Sequence, residues 1–312
     1  MPTEPQTLID SLHICHFPCM IPLQRPTSFK TMTIDYLKSM LQYLLPKKAL
    51  SNLAGYLAAI KRPSIKNAFI HYFIAKYGVD LSEAREENPT NYLDFNDFFI
   101  RQLKPECRPI SSLDITSPVD GSISELGLIK QGTLIQAKGH YYSTDELLGF
   151  EEGTKDLFNS GLFATLYLSP KDYHRVHMPI QGTLKRMVYI PGQLFSVQPA
   201  TARHIPRLFA RNERLIVYFD TAVGLMAMVL VGATIVGTIG THWHGDIKRQ
   251  RKKSHFDYDN STVYNKADEM GYFKLGSTVI LLFADSTRVQ WKDDLKATDK
   301  IKFGEGLGHI KH

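Results

Sequence analysis

Three cysteines in 312 residues, Cys15, Cys19 and Cys107, are too few and too unevenly spaced for a disulfide framework, and they suit a reducing compartment. Long apolar runs are missing as well. No stretch approaches the roughly 18 uninterrupted apolar residues of a membrane-spanning helix. The best candidate, Leu225 to Val236, is bounded by glycine and rich in Val, Ile and Thr, which is the composition of a buried strand. There is no internal repeat, and the first residues lack the basic start, apolar run and small-residue cleavage site of a signal peptide. What is present, 43% hydrophobic and 22% charged residues, describes a globular chain of one large domain or two ordinary ones.

Residues 1 to 31 carry Pro2, Pro5, Pro18, Pro22 and Pro26 without a helical period, and read as a disordered leader. His13, Cys15, His16 and Cys19 sit together on that one proline-bounded segment. Zinc sites pair two ligand sets presented by turns, so no metal is expected here. Met32 opens the first periodic segment and is a candidate start. From Ile34, the positions Leu37, Met40, Leu41, Leu44 and Leu45 give one apolar helical stripe that Pro46 ends. A second helix carries Leu50, Leu53, Leu57 and Ile60, and a third carries Ile65, Phe69, Phe73 and Ile74. Between Lys30 and Tyr77 eight lysines and arginines face Asp35 alone, which leaves the rest of a +6 chain close to neutral. Basic amphipathic helices of this kind either lie in the headgroup layer of an anionic membrane or pack their stripe on the domain core. Asp94, ahead of Phe98, Phe99 and Ile100, is placed to cap one further short helix.

Beyond Pro109 the period changes from helical to strand-like. Gly132 to Ala137, Leu162 to Leu168, Thr183 to Ile190, Leu215 to Phe219, Leu225 to Val231, Ala233 to Ile239 and Ser277 to Phe283 are short β-rich runs between glycines and prolines. The fold class is therefore α+β, with N-terminal amphipathic helices (32–108) followed by a mainly antiparallel β-domain (109–312). Lys248, Arg249, Arg251, Lys252 and Lys253 form a basic run without interleaved aromatics, which reads as a solvated loop, and no nucleic acid is expected as partner.

Three segments put reactive side chains at turns or strand ends. They are Ser117-Pro118-Val119-Asp120-Gly121, Asp172-Tyr173-His174-Arg175-Val176-His177-Met178-Pro179 and Leu275-Gly276-Ser277-Thr278. A serine hydroxyl becomes a nucleophile when a base takes its proton, and a histidine steadied by a carboxylate does this on many folds. Among them the three segments hold aspartate, histidine and serine. In this order and at these separations the segments resemble the bacterial, pyruvoyl-dependent phosphatidylserine decarboxylases. Asn96 to Arg101, Gln136 to Tyr142, Pro191 to Val197, Leu208 to Arg214 and Val231 to Gly237 extend the resemblance, which covers roughly 32 to 303.

The resemblance implies a proenzyme that cuts itself between Gly276 and Ser277, giving a large chain 1–276 and a small chain 277–312 that stay associated. Asp120, His177 and Ser277 would carry the cleavage, and Ser277 would become a covalent pyruvoyl group, with no other cofactor and no metal. That group would form a Schiff base with phosphatidylserine and accept the electrons released with carbon dioxide, yielding phosphatidylethanolamine. His174 would supply the proton of that step, with His177 as a possible helper. A homodimer of processed protomers, bound to the anionic cytoplasmic face of a bacterial inner membrane through the N-terminal helices, is implied in the same way. If residues 174 to 177 are extended, the two histidines fall on opposite faces and converge only through a turn.

Two other readings stand beside this one. An uncleaved serine hydrolase acting on lipid esters could use the same three residues, although no Gly-x-Ser-x-Gly elbow surrounds Ser277. A noncatalytic membrane-binding module would use the basic helices and have no need of Asp120, His177 or Ser277.

Overall fold

The computed structural model describes residues 29–137, 139–154, 156–234 and 238–311. Most of the expected leader, with His13, Cys15, His16 and Cys19, lies outside the described residues, as do Lys138 and residues 235–237 within two of the resembling segments.

Local chemistry sets the helix ends. Helix α1 (Phe29–Leu44) starts ahead of Met32 and stops just before Pro46, whose ring pushes the preceding residue out of the α region. Helix α2 (Lys47–Ala58) starts directly after Pro46. Helix α3 (Pro63–Tyr77) has proline in its first turn and ends on Gly78 at φ +66°. Helix α4 (Phe95–Phe99) is capped as expected, with the Asp94 side chain accepting from the Asp97 amide at 2.9 Å. Rings lock α3 to α4, since Phe95 lies 4.3 Å from Phe69 and 5.0 Å from Phe73 between centroids. Leu275, from far along the chain, is part of the same buried cluster. By contrast, α1 and α2 leave much of their apolar stripe uncovered, with Leu37 60%, Leu44 82% and Leu53 55% exposed.

The rest of the chain builds antiparallel sheets. A nine-stranded sheet runs in the order 254–257, 182–190, 214–221, 224–232, 277–283, 162–168, 121–128 and 300–301, with 263–264 paired beside 182–190. Both faces are covered, which is why its central strands are continuous apolar runs rather than alternating ones. Val279, Leu281 and Phe283 enter one core, and Ile280 and Leu282 enter the core on the other face. A four-stranded sheet, in the order 245–246, 238–241, 269–274 and 175–177, packs beside it.

One expected strand is corrected. Ala233 and Thr234 are not in a strand, and the strand in this region is Thr238–Thr241. The chain leaves the large sheet at Gly232 and enters the small one at Thr238, and a run of β-branched residues carries no mark of such a change of sheet. The basic run is also less free than expected, because Arg249 is paired with Glu213 at 2.8 Å and Lys253 with Glu151 at 2.5 Å.

The fully buried Phe95 is the hub of the aromatic cluster. Phe95→Ala should cost about 3–5 kcal/mol of stability, the range for emptying a buried phenylalanine site. Urea denaturation of the chain with and without the substitution measures it, and a loss below about 1 kcal/mol would show that the helices are not held by this cluster.

Candidate active site

Strand 269–274 belongs to the small sheet and strand 277–283 to the centre of the large one, so the chain changes sheets within Leu275 and Gly276. The passage is bought with strained backbone. Leu275 has φ +82° and Gly276 φ +31°, and a positive φ at a residue with a Cβ costs on the order of 1–3 kcal/mol. Both flanks hold it there. The Leu275 side chain is buried in the aromatic cluster, and Ser277 is in register with Leu168 on one side and Gly232 on the other. A Cβ built on Gly276 would meet nothing within 4 Å, so its surroundings leave open space beside the Gly276–Ser277 bond. The Ser277 hydroxyl is fully buried and makes no hydrogen bond. It lies on a cavity of about 450 Å³ that Phe73, Tyr77, Phe99, Leu275 and Gly276 also line.

The two histidines face different surroundings. His174 immediately precedes the strand Arg175–His177, and the chain stays extended between them, so the rings do not converge. His174 is fully buried against Phe99, with ring centroids 4.2 Å apart. Its Nδ1 is 2.8 Å from the Asp172 carbonyl oxygen, which only accepts, so Nδ1 carries the hydrogen. Nε2 keeps its lone pair, buried and without a partner. Burial pushes its pKa down to about 3, against a raising effect of the Asp172 carbonyl. His177 stacks on Phe303 at 3.6 Å and 16°, with the Tyr173 ring 5.7 Å away between centroids. By the same argument its Nδ1–H donates to the Ala267 carbonyl at 2.9 Å, and the Tyr173 hydroxyl donates to Nε2 at 3.0 Å. Burial pushes its pKa down to about 4.

Asp120 begins the turn into the strand Gly121–Leu128. Its carboxylate is not on His177. It accepts from Arg108 through Nε at 3.0 Å and Nη2 at 2.5 Å, and from the Phe303 amide at 2.8 Å. Arg108 also pairs with Glu83 at 2.6 Å, and the hydrogen bond from Arg108 is the main reason the Glu83 carboxyl falls to about 2. In the uncleaved chain, then, no hydrogen bond joins Asp120 to His177 or His177 to Ser277. The link from Asp120 to His177 is indirect: the carboxylate holds the Phe303 amide, and the Phe303 ring covers the imidazole. Arg108 and Phe303 were not singled out from sequence, and Phe73 and Phe99 were read there as apolar positions of helices rather than as site residues. Tyr173 stood inside one of the three segments, and only the three-dimensional neighbourhood gives it a partner.

A family model described as phosphatidylserine decarboxylase matches residues 95–309, and a second, described as PSD, matches residues 37–78. The phosphatidylserine decarboxylase proenzyme of Legionella pneumophila (strain Lens) is 57% identical over 279 residues, spanning 88% of this chain and 99% of the relative. That of Shewanella sp. (strain W3-18-1) is 48% identical over 287 residues, spanning 89% of this chain and 99% of the relative.

The buried neutral imidazoles give the fold an acid limit. An unfolded histidine takes up a proton near pH 6.5, whereas His174 and His177 resist it down to about 3 and 4, so the unfolded state binds more protons in this window. The stability they allow is complete above about pH 6.5 and is lost as pH falls below it, by up to about 1.4 kcal/mol per pH unit for each histidine. Glu83 contributes in the same direction only below the ordinary glutamate range of about 4.5. Denaturation of Ser277→Ala between about pH 7 and pH 5 reads the histidines alone among these groups. His177→Gln should make the slope shallower, and a flat profile in the parent chain would mean that neither ring is held neutral.

Proposed function

Because this chain belongs to the phosphatidylserine decarboxylase family, which it matches over most of its length, we propose that the strained Gly276–Ser277 bond is the one the proenzyme opens. The chain converts phosphatidylserine to phosphatidylethanolamine and carbon dioxide in phospholipid biosynthesis. The observation that carries the choice of bond is the combination at one place of positive φ at Leu275 and Gly276 with a buried, unpartnered Ser277 hydroxyl.

In this reading Ser277 Oγ attacks the Gly276 carbonyl carbon, its proton goes to a base, and the amide becomes an ester. Loss of the Ser277 α-proton then expels the Gly276 carboxylate, and hydrolysis of the dehydroalanine left behind releases ammonia and leaves a pyruvoyl group. Relief of the positive φ at Leu275 favours this opening. His177 is neutral at physiological pH and so able to accept the proton, but it must first exchange the Tyr173 hydroxyl for Ser277. Asp120 serves by holding Phe303 over the imidazole, a support through packing rather than through a direct hydrogen bond. The orphaned, buried hydroxyl and the open space beside Gly276 suit a pyruvoyl group at position 277. When present, that group supplies an electron-accepting carbonyl for the loss of carbon dioxide. His174, with a bare Nε2 in a dry aromatic pocket, is the group assigned to hold and return the proton of that reaction.

No described helix is long and apolar enough to cross a membrane. Association is assigned instead to the uncovered stripes of α1 and α2, whose basic residues suit an anionic surface, here the cytoplasmic face of a bacterial inner membrane. A dimer of processed protomers belongs to the same reading.

Intact mass spectrometry of the wild-type protein beside Ser277→Ala tests the cleavage. The wild type should give two chains, the smaller starting at residue 277 and lighter than its encoded mass by the conversion of serine to pyruvoyl. Ser277→Ala should stay whole, and His177→Gln and Asp120→Asn should slow the cut at least about tenfold, the lower part of the range for losing a general base. An active wild-type chain that stays in one piece would overturn the reading in favour of a serine hydrolase.

A further inference from the structure

Among the described residues lining the cavity beside Ser277, Lys38 is the one with a charged side chain, and the geometry points to it as the cation that takes the phosphodiester of the lipid substrate. This rests on the reading of Ser277 as the reacting centre. A phosphatidylserine whose amine is at position 277 carries its phosphate only a few bonds away, within the same cavity. Two anionic groups on that substrate could claim a cation. The carboxylate is the group that leaves, and a cation bound to it would favour the ground state over its loss. The phosphodiester is unchanged by the reaction, and a flexible ammonium point charge suits its oxygens.

Four other lysines of the helical region do not compete for this role. The Lys47 ammonium donates to the Gln42 carbonyl at 2.5 Å and lies 4.4 Å from the Phe195 ring centre. That of Lys66 is held by the Thr90 carbonyl at 2.7 Å and by Asn67 at 2.6 Å. Lys48 and Lys61 are exposed but lie outside the cavity lining. Lys38 is exposed and takes part in no hydrogen bond or ion pair among the described residues. Its position is nevertheless fixed. One turn further along α1, Gln42 accepts from the Ser196 amide at 2.8 Å and donates to Thr201 at 3.2 Å, so α1 is clamped to the wall opposite the helical cluster. Lys38 and Gln42 both line the cavity from that helix.

An interaction with a group that does not react binds substrate and transition state alike, so its loss raises KM and leaves kcat. Lys38→Met keeps the aliphatic stem and removes the charge. Lys38→Arg keeps the charge, and Lys48→Ala and Lys61→Ala report on surface charge outside the cavity. Each variant is first confirmed by mass spectrometry to be fully cleaved, which separates this test from that of the cleavage itself. The assay uses a short-chain phosphatidylserine below its micelle concentration, so that no membrane field contributes. Lys38→Met should raise KM about tenfold, equivalent to ~1.4 kcal/mol, with kcat within about twofold. Lys38→Arg should recover most of the loss and the two control variants should show none. An unchanged KM in Lys38→Met, a loss confined to kcat, or an equal rise in Lys61→Ala would each overturn the assignment. If the processed wild type failed to decarboxylate this lipid, the functional reading itself would fall.

Discussion

The two-residue passage from one sheet to another at Leu275 and Gly276 is the constraint around which the rest is arranged. Each neighbour has a strong claim on its position. Leu275 is drawn into the aromatic cluster of α3 and α4, and Ser277 must enter the middle of the large sheet in register with strands on both sides. The backbone between them takes positive φ twice in succession, a conformation no isolated Leu-Gly pair would choose. Strain of this kind persists only when the surroundings over-determine it, and here they are the two halves of the molecule. The aromatic cluster of the helical region thus holds one end of this strained segment.

Burial then sets the chemistry of the groups nearby. A solvent-exposed histidine would be partly charged near neutral pH, and a charged ring could not accept a proton from serine. Phe99 over one imidazole and Phe303 over the other remove water and keep both rings neutral. The same burial leaves Ser277 without a partner, and a hydroxyl desolvated and unbonded has lost the stabilisation that water would give it. The uncleaved chain holds its reactive groups apart, with Asp120 on Arg108 and His177 on Tyr173. In the proposed cleavage the His177 ring would first have to leave Tyr173 before it could take the Ser277 proton.

Much of this was legible in the sequence where the signal is local. Pro46 marks the end of α1, Asp94 caps α4, and the apolar runs at 162–168 and 277–283 are strands, because each of these features is decided within a few residues. Three segments with reactive side chains marked the site by resemblance. What was not legible depends on contacts far apart in the chain. Nothing in the run from Ala233 to Ile239 says that the chain leaves one sheet for another, since both sheets accept the same β-branched residues. Arg108 and Phe303 are ordinary residues until the fold brings them to Asp120 and His177 from opposite directions along the chain. Of the three groups that the resemblance named, Asp120 and His177 have other partners in this structure and Ser277 has none.

A cut at the proposed Gly276–Ser277 bond would have a defined effect on the fold. The segment 277–312, the small chain in the proposed reading, begins with a central strand whose seven residues are paired on both sides. It continues with 289–291, 300–301 and 306–310, which pair with one another or with strands of the large chain. Cutting within such a strand would strip ladder hydrogen bonds from both its neighbours. A cut at the corner between two sheets removes one covalent link and leaves all the pairing of the 277–283 strand in place. After such a cut a new carboxyl terminus at Gly276 would gain conformational freedom and Leu275 could relax, while residue 277 would stay paired with its neighbours Leu168 and Gly232. On the proposed reading, a corner of this kind would allow both chain scission and a rigidly held reacting centre at the same residue, because the strained turn and the buried strand end are adjacent.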